Sequence, residues 1–158
     1  KMNVVLSAEY TKKEAEVPFY GVYYGQSALP LPEDKLYYLE NDMLKECRVY
    51  DYETNAEISV YDMEKLKGDD LYELFLSGSK SLLTIENPKA STDREMILFR
   101  DSFGSSIAPL LAEGYAKITL VDIRYISPNI LDRFIEFDNQ DVLFLYSASV
   151  LNNSITIK

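Results

Sequence analysis

The 158-residue chain contains no histidine, no tryptophan and one cysteine. Without histidine there is no imidazole to serve as an internal general base, so a complete Ser-His-Asp or Cys-His arrangement is excluded within these residues. Cys47 cannot form an internal disulfide, and its Lys-Glu-Cys-Arg setting has no metal or redox spacing; a buried or half-buried thiol is the expectation, and neither metal nor cofactor is read from the pattern. No run approaches the roughly 18 apolar residues that span a bilayer. The start, Lys1 to Ser7, lacks the design of a signal peptide, so the polypeptide as given reads as soluble. Basic side chains are also scarce: 16 Lys and Arg against 26 Asp and Glu leave a net charge of −10. Nucleic-acid affinity rests on cations that displace counterions, so nucleic acid is not an expected partner. The acids stand as single charges and pairs such as Glu33-Asp34 and Asp69-Asp70, the pattern of a solvated surface.

What remains is the composition of an ordinary folded protein, 47% apolar with six prolines and six glycines. Its length suits one domain over 1-158 with a sizeable core. Residues 91-158 read as a βαβαβ unit. Met96 to Phe99 is apolar, Phe103, Ile107, Leu110 and Leu111 then recur at helical spacing, and Gly114 follows as a C-terminal cap. Pro109 conflicts with that helix, because it removes one hydrogen bond. Ile118 to Asp122 is a second strand; Ser127-Pro128 starts a second helix with Ile130, Leu131, Phe134 and Ile135 on one face. Val142 to Tyr146 is a third strand, continuous rather than alternating, as in a parallel strand covered on both faces. Three parallel strands flanked by helices follow, an α/β fold.

Residues 1-90 differ in texture and hold ten of the thirteen tyrosines. Cys47 to Tyr61 reads as a hairpin around Glu53 to Ala56, Asp62 to Lys67 and Asp69 to Leu76 as short helical pieces broken at Gly68, and Leu82 to Glu86 as a strand ended by Asn87-Pro88. The tyrosines, Tyr20, Tyr23 and Tyr24 among them, fit either a sugar-stacking surface or half-buried structural positions.

Ligands of open α/β sheets bind outside the carboxyl ends of the strands. Here those ends deliver Asp101-Ser102, then Asp122-Ile123-Arg124-Tyr125, then Ser147-Ala148-Ser149 with Asn152 and Asn153 beyond. A hydroxyl, a guanidinium and amides on neighbouring loops suit a carbonyl or sugar ligand. Ser102 is the candidate nucleophile, with its own N–H and that of a neighbour at the helix start, toward Gly104, as oxyanion donors and Arg124 as a charged one. Activation lacks a base. The alternative is structural: Ser102 caps the helix, and Arg124 pairs with Asp122 or Asp101.

The segments FRDSFGSSIAPLLAEGYAKITLVDIRYI and DVLFLYSASV, with VPFYGVYYGQSALPLPEDKLYYLE, VYDYETNAEISVYDMEKLKGDDLYELFL and LLTIENP upstream, resemble the DHHW-motif proteins of Gram-positive bacteria. These are SGNH-hydrolase-like proteins related to exported alginate O-acetylation proteins. The resemblance covers roughly residues 16 to 150 and implies an SGNH-hydrolase-like or flavodoxin-like three-layer fold. It implies that Ser102 is the nucleophile, that Asp101 matches a family aspartate outside the triad, and that Arg124 lines the oxyanion or substrate site. It also implies export to the cell surface. Two departures stand out. The family's glycine before Asp-Ser is Arg100 here, and the Asp-His-His-Trp element that supplies the acid and base is absent.

Two functions follow as expectations. One is a serine esterase or O-acyltransferase (deacetylation or acetylation) acting on cell-envelope carbohydrate, of which this chain is a carboxyl-terminal portion, inactive without the missing histidine. Gly104, Arg124, Ser147 and Asn152 then serve the oxyanion or substrate, supported by Asp101, Asp122 and Tyr125. The other is a noncatalytic cell-surface protein that binds carbohydrate.

Overall fold

The computed structural model describes residues 8–21, 24, 30–153 and 155; Tyr23 and the start Lys1 to Ser7 lie outside them. Strand β1 (Thr11–Glu14) pairs antiparallel with β2 (Tyr37–Glu40) in a small sheet of its own. Helix α1 (Asp42–Glu46) follows, with Asn41 Oδ1 accepting the Leu44 N–H at 2.8 Å as its cap. The expected hairpin is β3 (Arg48–Asp51) and β4 (Ala56–Ile58), and the two short helical pieces are 3₁₀ turns at Met63–Lys67 and Leu71–Leu74, capped by Asp62 and Asp70. Next come β5 (Leu82–Glu86), β6 (Glu95–Arg100), α2 (Gly104–Leu111), β7 (Lys117–Val121), β8 (Asp141–Leu145) and α3 (Ala148–Asn152).

The hairpin joins the second half in one six-stranded sheet of order β4-β3-β5-β7-β6-β8. Its β7, β6 and β8 are mutually parallel, as the strand–helix alternation predicts, while β5, β3 and β4 add to β7 antiparallel. The fold is therefore α/β with a mixed sheet and few helices.

Strand periodicity sorts the core onto the two faces. Leu83, Ile85, Met96, Leu98, Ile118 and Leu120 pack on one side with Ala108 and Ala112, and Leu82, Ile97, Phe99 and Val121 on the other with Leu131 and Ile135. Burial on both faces explains why β5, β6 and β7 read as unbroken apolar runs. The crossovers after β6 and after β7 accordingly cover opposite faces.

Three expectations are corrected. On α2 the buried residues are Gly104, Ser105, Ala108 and Pro109, not the large apolar set; Phe103 is 53% and Ile107 41% exposed. A Cβ on Gly104 would stand 2.6 Å from Arg100 Cβ, so the helix lies too close to β6 for anything but small residues. The second crossover is a 3₁₀ turn, Pro128–Arg133, rather than an α-helix, although Ser127 caps it and Leu131 and Ile135 are buried. Finally, β8 is an edge strand of the sheet with alternating burial, and Phe144, 65% exposed, stacks on Phe99 with centroids 4.7 Å apart. No helix among the described residues is long and apolar enough to cross a membrane.

Candidate active site

From β6 the chain moves to β7 on one side and later returns to β8 on the other, so strand order reverses at the carboxyl end of β6. Asp101 and Ser102 form the turn that leaves this end. Asp101, almost fully buried, holds it in place: its Oδ1 accepts the Phe103 N–H at 3.0 Å and its Oδ2 the Ser147 N–H at 2.7 Å. Its carbonyl accepts the Gly104 N–H at 3.0 Å, and the Ser102 carbonyl accepts the Ser105 N–H at 3.0 Å. Asp101, not Ser102, is thus the residue that caps the turn.

These bonds leave one residue unengaged. Neither the hydroxyl nor the N–H of Ser102 has a hydrogen-bond partner among the described residues, and its side chain is half-buried. Of the backbone donors around it, those of Phe103, Gly104 and Ser105 are already taken. Gly104 therefore does not supply the neighbouring oxyanion donor expected from the sequence; its place is set by the close approach to Arg100.

Arg124 follows β7 and faces its own strand end. Its Nε donates to Asp122 Oδ1 at 2.8 Å and its Nη2 to Asp122 Oδ2 at 2.6 Å, a bidentate pair on a fully buried carboxylate. The hydrogen bond to Asp122 raises the Arg124 pKa more than burial lowers it. Nη1 makes no hydrogen bond among the described residues. Exposed Tyr125 lies with its ring centroid 5.2 Å from the Arg124 guanidinium carbon. Beyond β8, Ser147 Oγ sits 3.0 Å from Ser149 Oγ. Asn152 is exposed at the last position of α3.

Arg100, whose place the sequence marks only as a departure from a family glycine, lies beneath this rim. It is fully buried, with Nη1 donating to Ser105 Oγ at 3.0 Å and Nη2 to the Lys80 carbonyl at 3.3 Å. Burial lowers its pKa, opposed first by the charge of Asp122. Tyr146, next to Ser147, is pushed up to about 12 by burial and then by Asp122. Arg100 Nε and the Tyr146 hydroxyl are buried without a hydrogen-bond partner among the described residues. Two guanidinium and two carboxylate groups balance one another here. The polar residues within or next to the apolar strands, Arg100 and Tyr146, were the available sequence signal for this layer. No group of three or more His, Cys, Asp or Glu among the described residues could hold a metal ion.

The sheet, the reversal at β6 and the Asp-Ser turn recur in solved structures. The chain has the fold of a DHHW family protein. That protein, from Eubacterium siraeum DSM 15702, superposes with a TM-score of 0.66 at 20% identity, over 94% of this chain and 50% of its own. Bacillus cereus PatB1 with a sulfonyl adduct gives 0.65 at 20% identity, over 94% of this chain and 52% of PatB1. A second PatB1 structure gives 0.62 at 20% identity, over 90% and 50%. The chain thus spans about half the length of the DHHW-fold structures that it matches. No family model and no curated protein matches the sequence.

Proposed function

We propose that this chain is the nucleophile-bearing portion of an SGNH-hydrolase-like serine esterase or O-acyltransferase that acts on cell-envelope carbohydrate outside the cytoplasm. The observation that carries the reading is Ser102: at the reversal point of the sheet, on a turn held by Asp101, its hydroxyl and its own N–H stand unpartnered side by side. The fold shared with a protein that bears a sulfonyl adduct supports it, since sulfonyl reagents mark activated nucleophiles.

In this reading Ser102 Oγ attacks the acyl carbonyl and its proton passes to a base from outside the 158 residues, since they contain no histidine. The tetrahedral oxyanion takes the Ser102 N–H, with Arg124 Nη1 as a second, charged donor. The bond to the leaving alcohol breaks as the base returns the proton to that oxygen. The acyl group left on Ser102 then passes to water or to a sugar hydroxyl. Asp101 acts as a positioning residue because both its carboxylate oxygens are engaged in the turn and in the β8 end. Ser147, Ser149 and Asn152 border the sugar side, and Asp122 fixes Arg124.

Hydrolysis of p-nitrophenyl acetate tests the assignment on the polypeptide extended upstream by its coding sequence. Ser102→Ala is expected to remove at least about 1,000-fold of kcat; unchanged hydrolysis rejects Ser102 as nucleophile. The 158-residue chain alone is expected to show no turnover above background.

A further inference from the structure

A second cavity lies among the residues before β2. The antiparallel bridge between Phe19 and Asp34, with the Asp34 N–H on the Phe19 carbonyl at 2.9 Å, ties residues 18–21 to residues 30–34. Phe19 packs on the buried cluster of Leu36, Leu74 and Phe75, which anchors the bridge in the core. Three prolines, Pro18, Pro30 and Pro32, stiffen these two short segments. Between them opens a cleft of about 530 Å³, lined by Phe19, Tyr20, Tyr24 and Leu31 with Glu33 and Asp34. That volume is in the range of small-ligand clefts.

The arrangement of the aromatic rings narrows the ligand. Tyr24 is drawn back by its N–H on the Gly21 carbonyl at 2.8 Å, and its ring meets that of Tyr20 with centroids 4.5 Å apart and planes tilted by 39°. Rings in contact with one another form a platform and leave no room for a cation between them, as an aromatic cage would. Tyr20 is 46% exposed, so the platform is open. A broad apolar surface beside two carboxylates suits a molecule with one apolar face and hydroxyl donors on its edge. That is a pyranose ring. The same carboxylates, in a chain of net charge −10, repel a uronate or phosphorylated sugar.

We infer that the Tyr20–Tyr24 platform with Glu33 and Asp34 is a binding site for a neutral pyranose unit of a glycan, separate from the Ser102 turn. The inference rests on the carbohydrate side of the function proposed above and not on the chemistry at Ser102. It assigns the tyrosine-rich first half a role in holding the polymer.

Calorimetric titration of the 158-residue chain with chitotetraose, cellotetraose and mannotetraose tests it, with tetragalacturonate and tetramethylammonium as the acidic and cationic counterparts. At least one neutral tetrasaccharide is expected to bind with a Kd below about 1 mM. Tyr20→Ala is expected to weaken it at least about tenfold and Glu33→Gln about threefold or more, each with an unshifted melting temperature. Glu33 is exposed, so its variant keeps the test open if Tyr20→Ala loosens the segment. Repeating the titration in the Ser102→Ala background separates the two sites, because a failed nucleophile assignment leaves this Kd in place. No binding by any neutral probe at about 10 mM overturns the inference. So does equal affinity in both variants, or binding of tetragalacturonate or tetramethylammonium as tight as that of the best neutral sugar.

Discussion

The Asp101 carboxylate reaches across 46 residues of sequence to the Ser147 N–H, at 2.7 Å. With its other oxygen on the Phe103 N–H, it clamps the ends of β6 and β8 together and leaves Ser102 between them. Asp101→Asn keeps one acceptor and turns an amide N–H₂ toward a buried donor. The expected cost is about 1–3 kcal/mol, a fall in Tm of about 2–4 °C per kcal/mol for a chain of this size. A thermal melt followed by circular dichroism reads it, and a shift below about 1 °C contradicts the clamp.

Gly104→Ala raises helix propensity by up to about 1 kcal/mol but drives a Cβ into Arg100. At 2.6 Å the contact is with the first atom of a buried side chain, which cannot rotate away. Overpacking of this kind costs about 1–3 kcal/mol and outweighs the gain. The direct check is a double-mutant cycle by urea denaturation. In an Arg100→Gly background the penalty of Gly104→Ala is expected to vanish; equal penalties in both backgrounds show that the two positions do not meet.

Removing the guanidinium in Arg124→Gln strips a fully buried carboxylate, Asp122, of its bidentate partner. The loss is expected to be on the order of 3 kcal/mol. Asp122→Asn in the same chain recovers part of it, because the orphaned charge is then gone. If Arg124→Gln melts like the unaltered chain, the pair is not structural and Arg124 is free for the oxyanion alone.

Alkali is expected to unfold the chain in a defined window. Burial pushes the phenols of Tyr61, Tyr115 and Tyr146 from 10.0 up to about 12 and the Cys47 thiol from 9.0 up to about 11. These groups lose their proton more readily unfolded than folded. Their stabilising effect is therefore complete below the unfolded value and disappears as pH rises through the folded one. Tyrosinate absorbance is readable without tryptophan interference and is expected to show a late step near pH 10–12 that coincides with loss of ellipticity. Titration of all tyrosines in one step near 10.0, with the fold intact, contradicts this.

The parallel strands, the hairpin and the convergence of three strand ends were legible because each is written as apolar runs and turn residues. The face of α2 was not. Periodicity assigns Phe103 and Ile107 to the core, but contact with β6 at Gly104 and Arg100 admits only small side chains, and helical spacing carries no information on how near the neighbour lies. The openness of β8 was hidden for a related reason: Val142 to Tyr146 is apolar on both faces, and only the sheet order shows that the strand stands at an edge. At the site, Ser102 and its strand end could be named from the sequence. That Asp101, Phe103 and Gly104 consume one another's hydrogen bonds, and that Arg124 turns to Asp122, required the geometry of the turn.

The account stands or falls on Ser102 as a nucleophile whose base lies outside these 158 residues. Intact-mass analysis after exposure to phenylmethylsulfonyl fluoride tests it most directly, on the upstream-extended polypeptide, its Ser102→Ala variant and the 158-residue chain. The expected result is one sulfonyl adduct on the extended polypeptide and none on the other two. An adduct that survives Ser102→Ala, or one that forms as fast on the 158-residue chain, contradicts the account.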